Sequence, residues 1–447
     1  MEFENINSVD FLNRITSVVP EKRQIEFQNL EYYNFIHFGL NTFTKKEWGS
    51  GKVSPDSFKL TDIDTDKWAE QLKSTGSKGI ILTAKHHDGF CLFPSKYTDY
   101  TIAATKYRNG SGDLVKQLAD SCKKYGLKFG IYLSPWDRHE ETYGTDKYND
   151  FFCNQLTELC INYGEIFCFW FDGACGEGEN GKKQNYDWNR YFEIIRRLQP
   201  DAVITNCGPD VRWIGNEFGK PRKSEFSVVP KKLQDNLKIA EMSQQKEGAT
   251  VMLKAPSFTD KSLGEREQLV GEELCWYPAE MNIPVTYFGW FWRPLFEIFF
   301  TRSVHNLEKC YYNSAGANAT LLVNVPPNDK GELPEKFINR LVKIRKRIER
   351  RFISKAEILN IEYQENNIRI TIKPQTVKTI VISEDITKSQ RIEEFSILAN
   401  GKTVYNGTAV GFKKICMLKK PLKNCSEINL VIQKCRKEPL IYNVNLY

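Results

Sequence analysis

One pattern constrains the fold of this chain more than any other: between about residue 34 and residue 350, short apolar runs of strand length alternate with longer stretches of helical period. Strand-like runs fall at 34–40, 78–84, 128–134, 165–173, 202–208, 274–280, 287–292 and 320–326, eight in all. Helical patterns cover 66–75, 113–125, 147–163 and 188–199, and stop at Gly76, Gly126, Gly164 and Pro200, residues that end helices. Eight strands alternating with helices predict an α/β protein whose simplest architecture is a (β/α)₈ TIM-like barrel over residues 1–350. The segment 209–271 is irregular and rich in Lys, Gln and Pro, so it reads as long loops over the barrel mouth. After Arg351 the period becomes two, as in Ile368-Arg-Ile-Thr-Ile372, with Asn400-Gly401 and Asn406-Gly407 as turns. That pattern predicts a C-terminal antiparallel β-sandwich over 351–447.

Composition narrows the functional classes. Hydrophobic residues are 41% and charged residues 27% of the 447, enough to bury a core and too apolar for a disordered chain. The net charge of +7 is unevenly placed: residues 335–447 hold 23 Lys and Arg against 11 Asp and Glu. Much of this surplus lies in the run from Lys343 to Arg351, which alternates apolar and charged residues like a solvated helix face. No nucleic-acid motif accompanies it, so a nucleic-acid partner is not expected. The twelve cysteines contain no C-x-x-C pair, which argues against a zinc or redox site and for a reducing compartment. Met1-Glu-Phe-Glu-Asn-Ile lacks the basic and apolar parts of a signal peptide. The expectation is a cytoplasmic protein, or a secreted or periplasmic one from which a leader was removed. The aromatic stretch from Tyr287 to Phe300 is broken by Arg293, Pro294 and Glu297, so it cannot span a bilayer, and no membrane partner is expected.

In a (β/α)₈ barrel the active site forms at the C-terminal ends of the strands. Three of the chain's five histidines, His37, His86 and His87, fall at such ends. Further ends carry Tyr132-Leu-Ser-Pro-Trp136-Asp137, Trp170-Phe-Asp172, Asn206, Glu280 and Trp290. Carboxylates and imidazoles beside aromatic platforms suit a sugar, which offers C–H faces to stack and hydroxyls to bind. Cleaving a glycosidic bond needs two carboxyl groups, one at the anomeric carbon and one to protonate the leaving oxygen. Asp172, ending a very apolar run, is the nucleophile candidate; Asp210, Glu217 and Glu225 in the irregular segment are positioned to supply the acid. A metal hydrolase using His37, His86, His87 and Asp172 is a rival reading. It is disfavoured because adjacent strand residues such as His86 and His87 point to opposite faces as long as the strand persists.

The segments Phe35-Ile-His37-Phe-Gly39, Glu47-Trp48-Gly49, Ala84-Lys-His86-His87-Asp-Gly-Phe90 and Phe169-Trp170-Phe-Asp172-Gly-Ala174, with the Tyr132 to Asp137 run, resemble the motifs of glycoside hydrolase family 29 α-L-fucosidases. Gly208 to Glu217, Trp276-Tyr-Pro-Ala-Glu280, Gly289-Trp290-Phe291 and Asn318 to Asn328 extend the resemblance over roughly residues 30–335. It implies a barrel followed by a β-sandwich, a retaining double displacement without metal or cofactor, and Asp172 as the nucleophile. His37, Trp48, His86, His87, Tyr132 and Trp290 match fucose-binding positions, with Trp170 beside the nucleophile. Glu47, Trp136, Asn206, Arg212 and Glu280 complete the expected substrate contacts. The Gly-Pro-Asp-Val-Arg-Trp-Ile-Gly-Asn-Glu217 segment resembles the subfamily that releases α-1,3- and α-1,4-linked fucose from branched, Lewis-type glycans, with Glu217 as acid/base and Glu225 in reserve.

One departure stands out. Where that subfamily continues with an Asp and a Ser-Ile-Arg-Pro run, this chain reads Met281-Asn282-Ile-Pro-Val-Thr286-Tyr-Phe288, which implies an altered preference for the sugar beyond fucose. The expected partner is thus a fucosylated oligosaccharide or glycoprotein glycan. A broader α-L-fucosidase that also accepts α-1,2 linkages and aryl fucosides is the close alternative. A fucose-binding module with a degenerate site is the distant one, disfavoured by intact Asp172 and Glu217.

Overall fold

The computed structural model describes residues 4–243 and 263–447. Its centre is an eight-stranded parallel sheet curled into a barrel. The strands are β1 (Tyr32–Ile36), β2 (Gly79–Lys85), β3 (Lys128–Leu133), β4 (Cys168–Phe171), β5 (Val203–Asn206), β6 (Arg212–Trp213), β9 (Ala279–Pro284) and β10 (Ala319–Asn324). A two-stranded antiparallel pair, β7 (Val228–Pro230) and β8 (Leu274–Trp276), lies between β6 and β9 in the chain. Barrel neighbours run β5-β4-β3-β2-β1-β10-β9-β6, and a parallel bridge between Thr205 and Val211 joins the two ends.

The four helices expected from the sequence form within one residue at each end: Thr65–Ser74, Leu114–Tyr125, Asp146–Asn162 and Trp188–Leu198. Asp64, Asp113 and Asp187 cap three of them by accepting the amides of Lys67, Lys116 and Arg190, which satisfies donors that the first turn leaves free.

The two-residue alternation of strand side chains builds two apolar layers. Ile80, Leu82, Ile131, Phe169, Ile204, Met281 and Val323 face outward into the layer under the helices. Tyr33, Phe35, Ile81, Tyr132, Trp170, Val203 and Leu322 fill the barrel interior. Interior positions near the C-terminal ends of the strands are therefore the floor of any pocket at the mouth.

Three strand expectations differ from the structure. The run 287–292 is a loop rather than a strand, and Gly289, at φ +74°, sits where a Cβ would meet Phe296 and approach Glu47. The run 274–280 splits, with β8 outside the barrel and Glu280 near the start of β9 rather than at a strand end. The missing barrel strand is β6, two residues inside the segment read as loop; residues 244–262 of that segment lie outside the described residues.

Beyond the helix Glu335–Arg351, strands β11 (Ile358–Gln364), β12 (Asn367–Glu384), β13 (Ile392–Ala399), β14 (Lys402–Gly407), β15 (Lys414–Cys435) and β16 (Ile441–Leu446) form an antiparallel sheet. The pairing of β12 with β15 slips between Thr371 and Thr379, and such irregularities bend strands. The sheet folds over a core of Ile370, Val377, Ile380, Phe395, Ile397 and Leu430, giving the sandwich. Its contacts with the barrel combine an apolar cluster, in which Ile386 and Phe412 pack with Val228 and Trp276, with buried polar links: Asn318 bonds the Glu225 carbonyl and the Phe412 amide, Gln390 accepts from the Ser227 amide, and Glu393 pairs with Arg266. The sandwich thereby props the base of the loop that carries Glu217.

Candidate active site

At the C-terminal mouth of the barrel lies a cavity of about 270 Å³, near the lower size limit for ligand pockets and suited to one sugar ring. Asp172, Tyr132, Trp170 and Asn206 line it from the ends of β3, β4 and β5. His37, His86 and His87 close a second side, and Glu47, Trp48, Glu217 and Trp290 arrive from loops. Both His86 and His87 reach the cavity because β2 ends at Lys85, so the alternation that would have parted them no longer applies.

Asp172 follows β4 directly. One carboxylate oxygen accepts from the Ala174 amide at 2.9 Å and the other from the Tyr132 hydroxyl at 2.8 Å. Burial pushes its pKa above the ordinary carboxylate value, while these donors and the Gly173 amide pull it back. The strand end is pinned by Asn206, whose side-chain amide donates to the Phe171 carbonyl at 3.1 Å. Asn206 has φ +61°, a conformation that asparagine tolerates.

Glu217 accepts from the Trp290 indole N–H at 3.1 Å. Its pKa is pushed up to about 8, first by burial and then by the charges of Glu47 and Asp172, against the opposing effects of Trp290 and Arg302. Trp290 is fixed from three directions: its amide donates to Glu47, its carbonyl accepts from Asn324 at 2.7 Å, and its ring leans on His37 at 5.1 Å between centroids. Glu47 also pairs with Arg293 at 3.2 Å.

The histidines are neutral. Burial lowers His37 and His87 to about 3 and takes His86 well below its ordinary value. The Ser134 hydroxyl donates to the Trp136 carbonyl, which leaves its lone pair for the Nδ1–H of His87 at 2.7 Å. His87 Nε2, 3.7 Å from Asp172, is then an acceptor facing the cavity. Asn324 Oδ1 fixes the His37 tautomer in the same way at 2.9 Å, and His86 Nδ1 has no protein partner. Among the described residues no group of three or more His, Cys, Asp or Glu side chains converges as metal ligands would.

Five expected site residues stand elsewhere. Glu225 is buried between Arg212 at 2.7 Å and Arg222 at 3.2 Å, which hold its pKa below the usual value despite burial. Glu225 and Arg212 therefore form a structural ion pair outside the cavity. Glu280 lies one layer beneath the floor, accepting from the Trp170 indole at 2.9 Å and from the Tyr33 hydroxyl. Trp136 packs behind the wall, 5.0 Å from His87 and 5.3 Å from Trp48. Asp210 is likewise committed, to Arg196, Arg23 and the Ile204 amide.

Residues of the departing 281–288 segment line the cavity: Asn282 and Pro284, the interior positions of β9 above Glu280, with Tyr287 and Phe288. They are joined by Arg293 and Phe296, which the sequence did not single out as site residues. Asn282 Oδ1 is buried without a protein partner. The aromatic density of 287–300 and the two-residue period of 279–284 were the available signals. Arg302, fully buried, ties this wall together by donating to the carbonyls of Pro284, Thr286 and Glu217 at 2.9–3.0 Å.

A parallel barrel with paired carboxylates, neutral imidazoles and tryptophans at its mouth defines a carbohydrate-cleaving enzyme. Residues 13–254 match the family model described as alpha-L-fucosidase. Alpha-L-fucosidase 1 of Arabidopsis thaliana is 35% identical over 96% of this chain and 87% of its own length. A solved structure from Bacteroides ovatus is 38% identical, covering 100% of this chain and 77% of that one, with a TM-score of 0.88. The structure of a Ruminococcus gnavus family 29 fucosidase in complex with fucose is 28% identical, covering 96% and 95%, with a TM-score of 0.78. The chain belongs to the α-L-fucosidase family, glycoside hydrolase family 29.

Proposed function

We propose that the enzyme releases α-L-fucose by a retaining double displacement in which Asp172 is the nucleophile and Glu217 the acid/base. The observation that carries this reading is the division of labour between two carboxyl groups lining one cavity. Asp172 is held by three donors that favour its ionised form, whereas Glu217, with pKa about 8, is protonated at neutral pH. Burial raises both, but only Asp172 has three donors that pull it back toward the ionised form, and two carboxyls in such unlike surroundings suit unlike catalytic parts.

In the first step an Asp172 oxygen attacks the anomeric carbon while Glu217 gives its proton to the departing oxygen. The new ester removes the charge of Asp172, one of the causes that raise Glu217. Glu217 thereby becomes more acidic, ready to take a proton from water in the second step. The neutral nitrogens of His37, His86 and His87 accept hydrogen bonds from sugar hydroxyls without adding positive charge beside an oxocarbenium-like transition state.

For linkage, the reading is α-1,3 and α-1,4 fucose on branched, Lewis-type glycans, supported by the Gly208 to Glu217 segment that brings Glu217 to the cavity. Asn282, with its unpartnered Oδ1 at the cavity wall, offers an acceptor to the sugar beyond fucose where the subfamily has Asp. Comparing kcat/KM on a Lewis-x trisaccharide and on 2′-fucosyllactose tests this. A strong preference for the branched sugar is expected; equal rates would assign the broader specificity.

A further inference from the structure

Five arginines among the described residues are buried: Arg212, Arg222, Arg266, Arg302 and Arg436. Four of them meet a carboxylate, Glu225 for Arg212 and Arg222 and Glu393 for Arg266 and Arg436. Arg302 does not. Its acceptors are all neutral, namely the carbonyls of Pro284, Thr286 and Glu217 and the Asn306 side chain at 3.1 Å. The Tyr287 ring centroid lies 4.9 Å from the guanidinium carbon. Burying a cation without an anion is unfavourable, so a guanidinium that only tied carbonyls together should sit, like the other four, beside a carboxylate. The one carboxyl group whose charge acts on Arg302 is that of Glu217.

The position of Arg302 is as particular as its charge. The strand leading to Glu217 is two residues long, and the last ladder bond before Glu217 is that of the Ile214 amide to the Glu280 carbonyl. Glu217 is held instead at two atoms, its carboxyl by the Trp290 indole and its main-chain carbonyl by Arg302 at 3.0 Å. The same guanidinium grips the carbonyls of Pro284 and Thr286, in the wall that carries Tyr287 and Phe288 into the cavity. It is supported from behind: the Arg302 amide donates to the Val285 carbonyl, and Arg340 donates to the carbonyls of Thr301 and Arg302. One braced planar group thus joins Glu217 to the wall beside the leaving sugar.

We infer that Arg302 is a positioning residue for the acid/base: it sets Glu217 against the departing oxygen and supplies the positive charge under which Glu217 ionises. The inference rests on the acid/base reading of Glu217 and adds what places and balances that group. In the first step the Glu217 proton passes to the leaving oxygen, which takes the electrons of the broken C–O bond, while Asp172 becomes an ester. A carboxylate then appears in a buried site. The groups facing it are Glu47, already paired with Arg293, the esterified Asp172, and the neutral His37, His86 and His87 across the cavity. On its own turn, Lys220 lies over the Phe218 ring. Tyr287 and Cys310 face Arg302 itself. Arg302 is the cation left to balance the new charge until water returns the proton.

The test compares the parent with Arg302→Met, Arg302→Lys and Glu217→Gln on two substrates. A Lewis-x trisaccharide has a leaving hydroxyl that needs a proton; dinitrophenyl α-L-fucoside has a leaving phenolate that does not. kcat/KM reports formation of the fucosyl-enzyme, and its ratio between the substrates is independent of how much of a preparation is folded. Arg302→Met is expected to lose about a hundredfold on the trisaccharide, within what a general acid contributes, and about tenfold less on the dinitrophenyl fucoside. The basic limb of its pH profile should move up by about one unit, because Glu217 ionises less readily without the cation. Arg302→Lys keeps the charge, so it should leave that limb in place and recover part of the rate. Equal losses on both substrates with an unmoved limb would overturn the inference. If the Arg302 variants do not fold, Arg340→Ala, which removes only the support of the Arg302 carbonyl, is read in the same way with a smaller split; the absence of any split there would also overturn it. Glu217→Gln without a split between the substrates strikes the acid/base reading itself, and the inference falls with it.

Discussion

Replacing Glu217 by Gln should abolish the acid step and, at alkaline pH, make the protein more stable. The unfolded chain ionises this carboxyl near 4.5, whereas the folded protein keeps it protonated to about 8. A group whose folded pKa is raised contributes its full share of stability below the unfolded value, and that share is lost as pH climbs through the folded one. At 1.36 kcal/mol per pH unit, ionising Glu217 in place costs on the order of 5 kcal/mol more than in water. Because the side chain is only partly shielded, we expect about 2–4 kcal/mol to be recovered. Gln keeps an oxygen to accept from the Trp290 indole and never has to ionise. Thermal unfolding of both proteins at pH 5 and pH 8.5 should show nearly matching midpoints at the lower pH and a variant several degrees higher at the upper one. A variant destabilised equally at both values would refute the claim that the site holds this carboxyl neutral.

The Tyr132 hydroxyl helps keep Asp172 ionised, so Tyr132→Phe should move the acidic limb of the kcat/KM profile up by about one pH unit, the worth of a hydrogen bond to a charged group. The basic limb, set by Glu217, should stay in place; a shift confined to that limb would reverse the two assignments. Glu225→Gln leaves Arg212 and Arg222 buried without a full counter-charge and should cost about 3–5 kcal/mol of stability while turnover per folded molecule is retained. Turnover lost with stability intact would make Glu225 the acid instead.

The barrel was legible wherever a strand carried enough residues to show a period. β6 was not, because Arg212–Trp213 is two residues long and two residues have no alternation to read. The run 287–292 imitated a strand because its aromatic residues are as dense as a buried strand's, although they serve a pocket wall and an exposed rim. Among the site residues, His37, His86, Tyr132, Trp170 and Asp172 were legible because strand ends point to one mouth. Glu225 and Arg212 could not be sorted from Glu217 by position, since the partner that neutralises a carboxylate comes from the fold; here Arg212 is thirteen residues from Glu225 along the chain and 2.7 Å away. Arg302 was invisible because it acts through backbone carbonyls, which every residue has.

The central claim is double displacement by Asp172 and Glu217, and its most direct test is the anomer first released. Proton NMR during digestion of a Lewis-x trisaccharide distinguishes the two before mutarotation mixes them. The account predicts α-fucose first, with β-fucose growing only at the rate of mutarotation. β-Fucose first would mean direct attack by water, contradicting the nucleophilic role of Asp172.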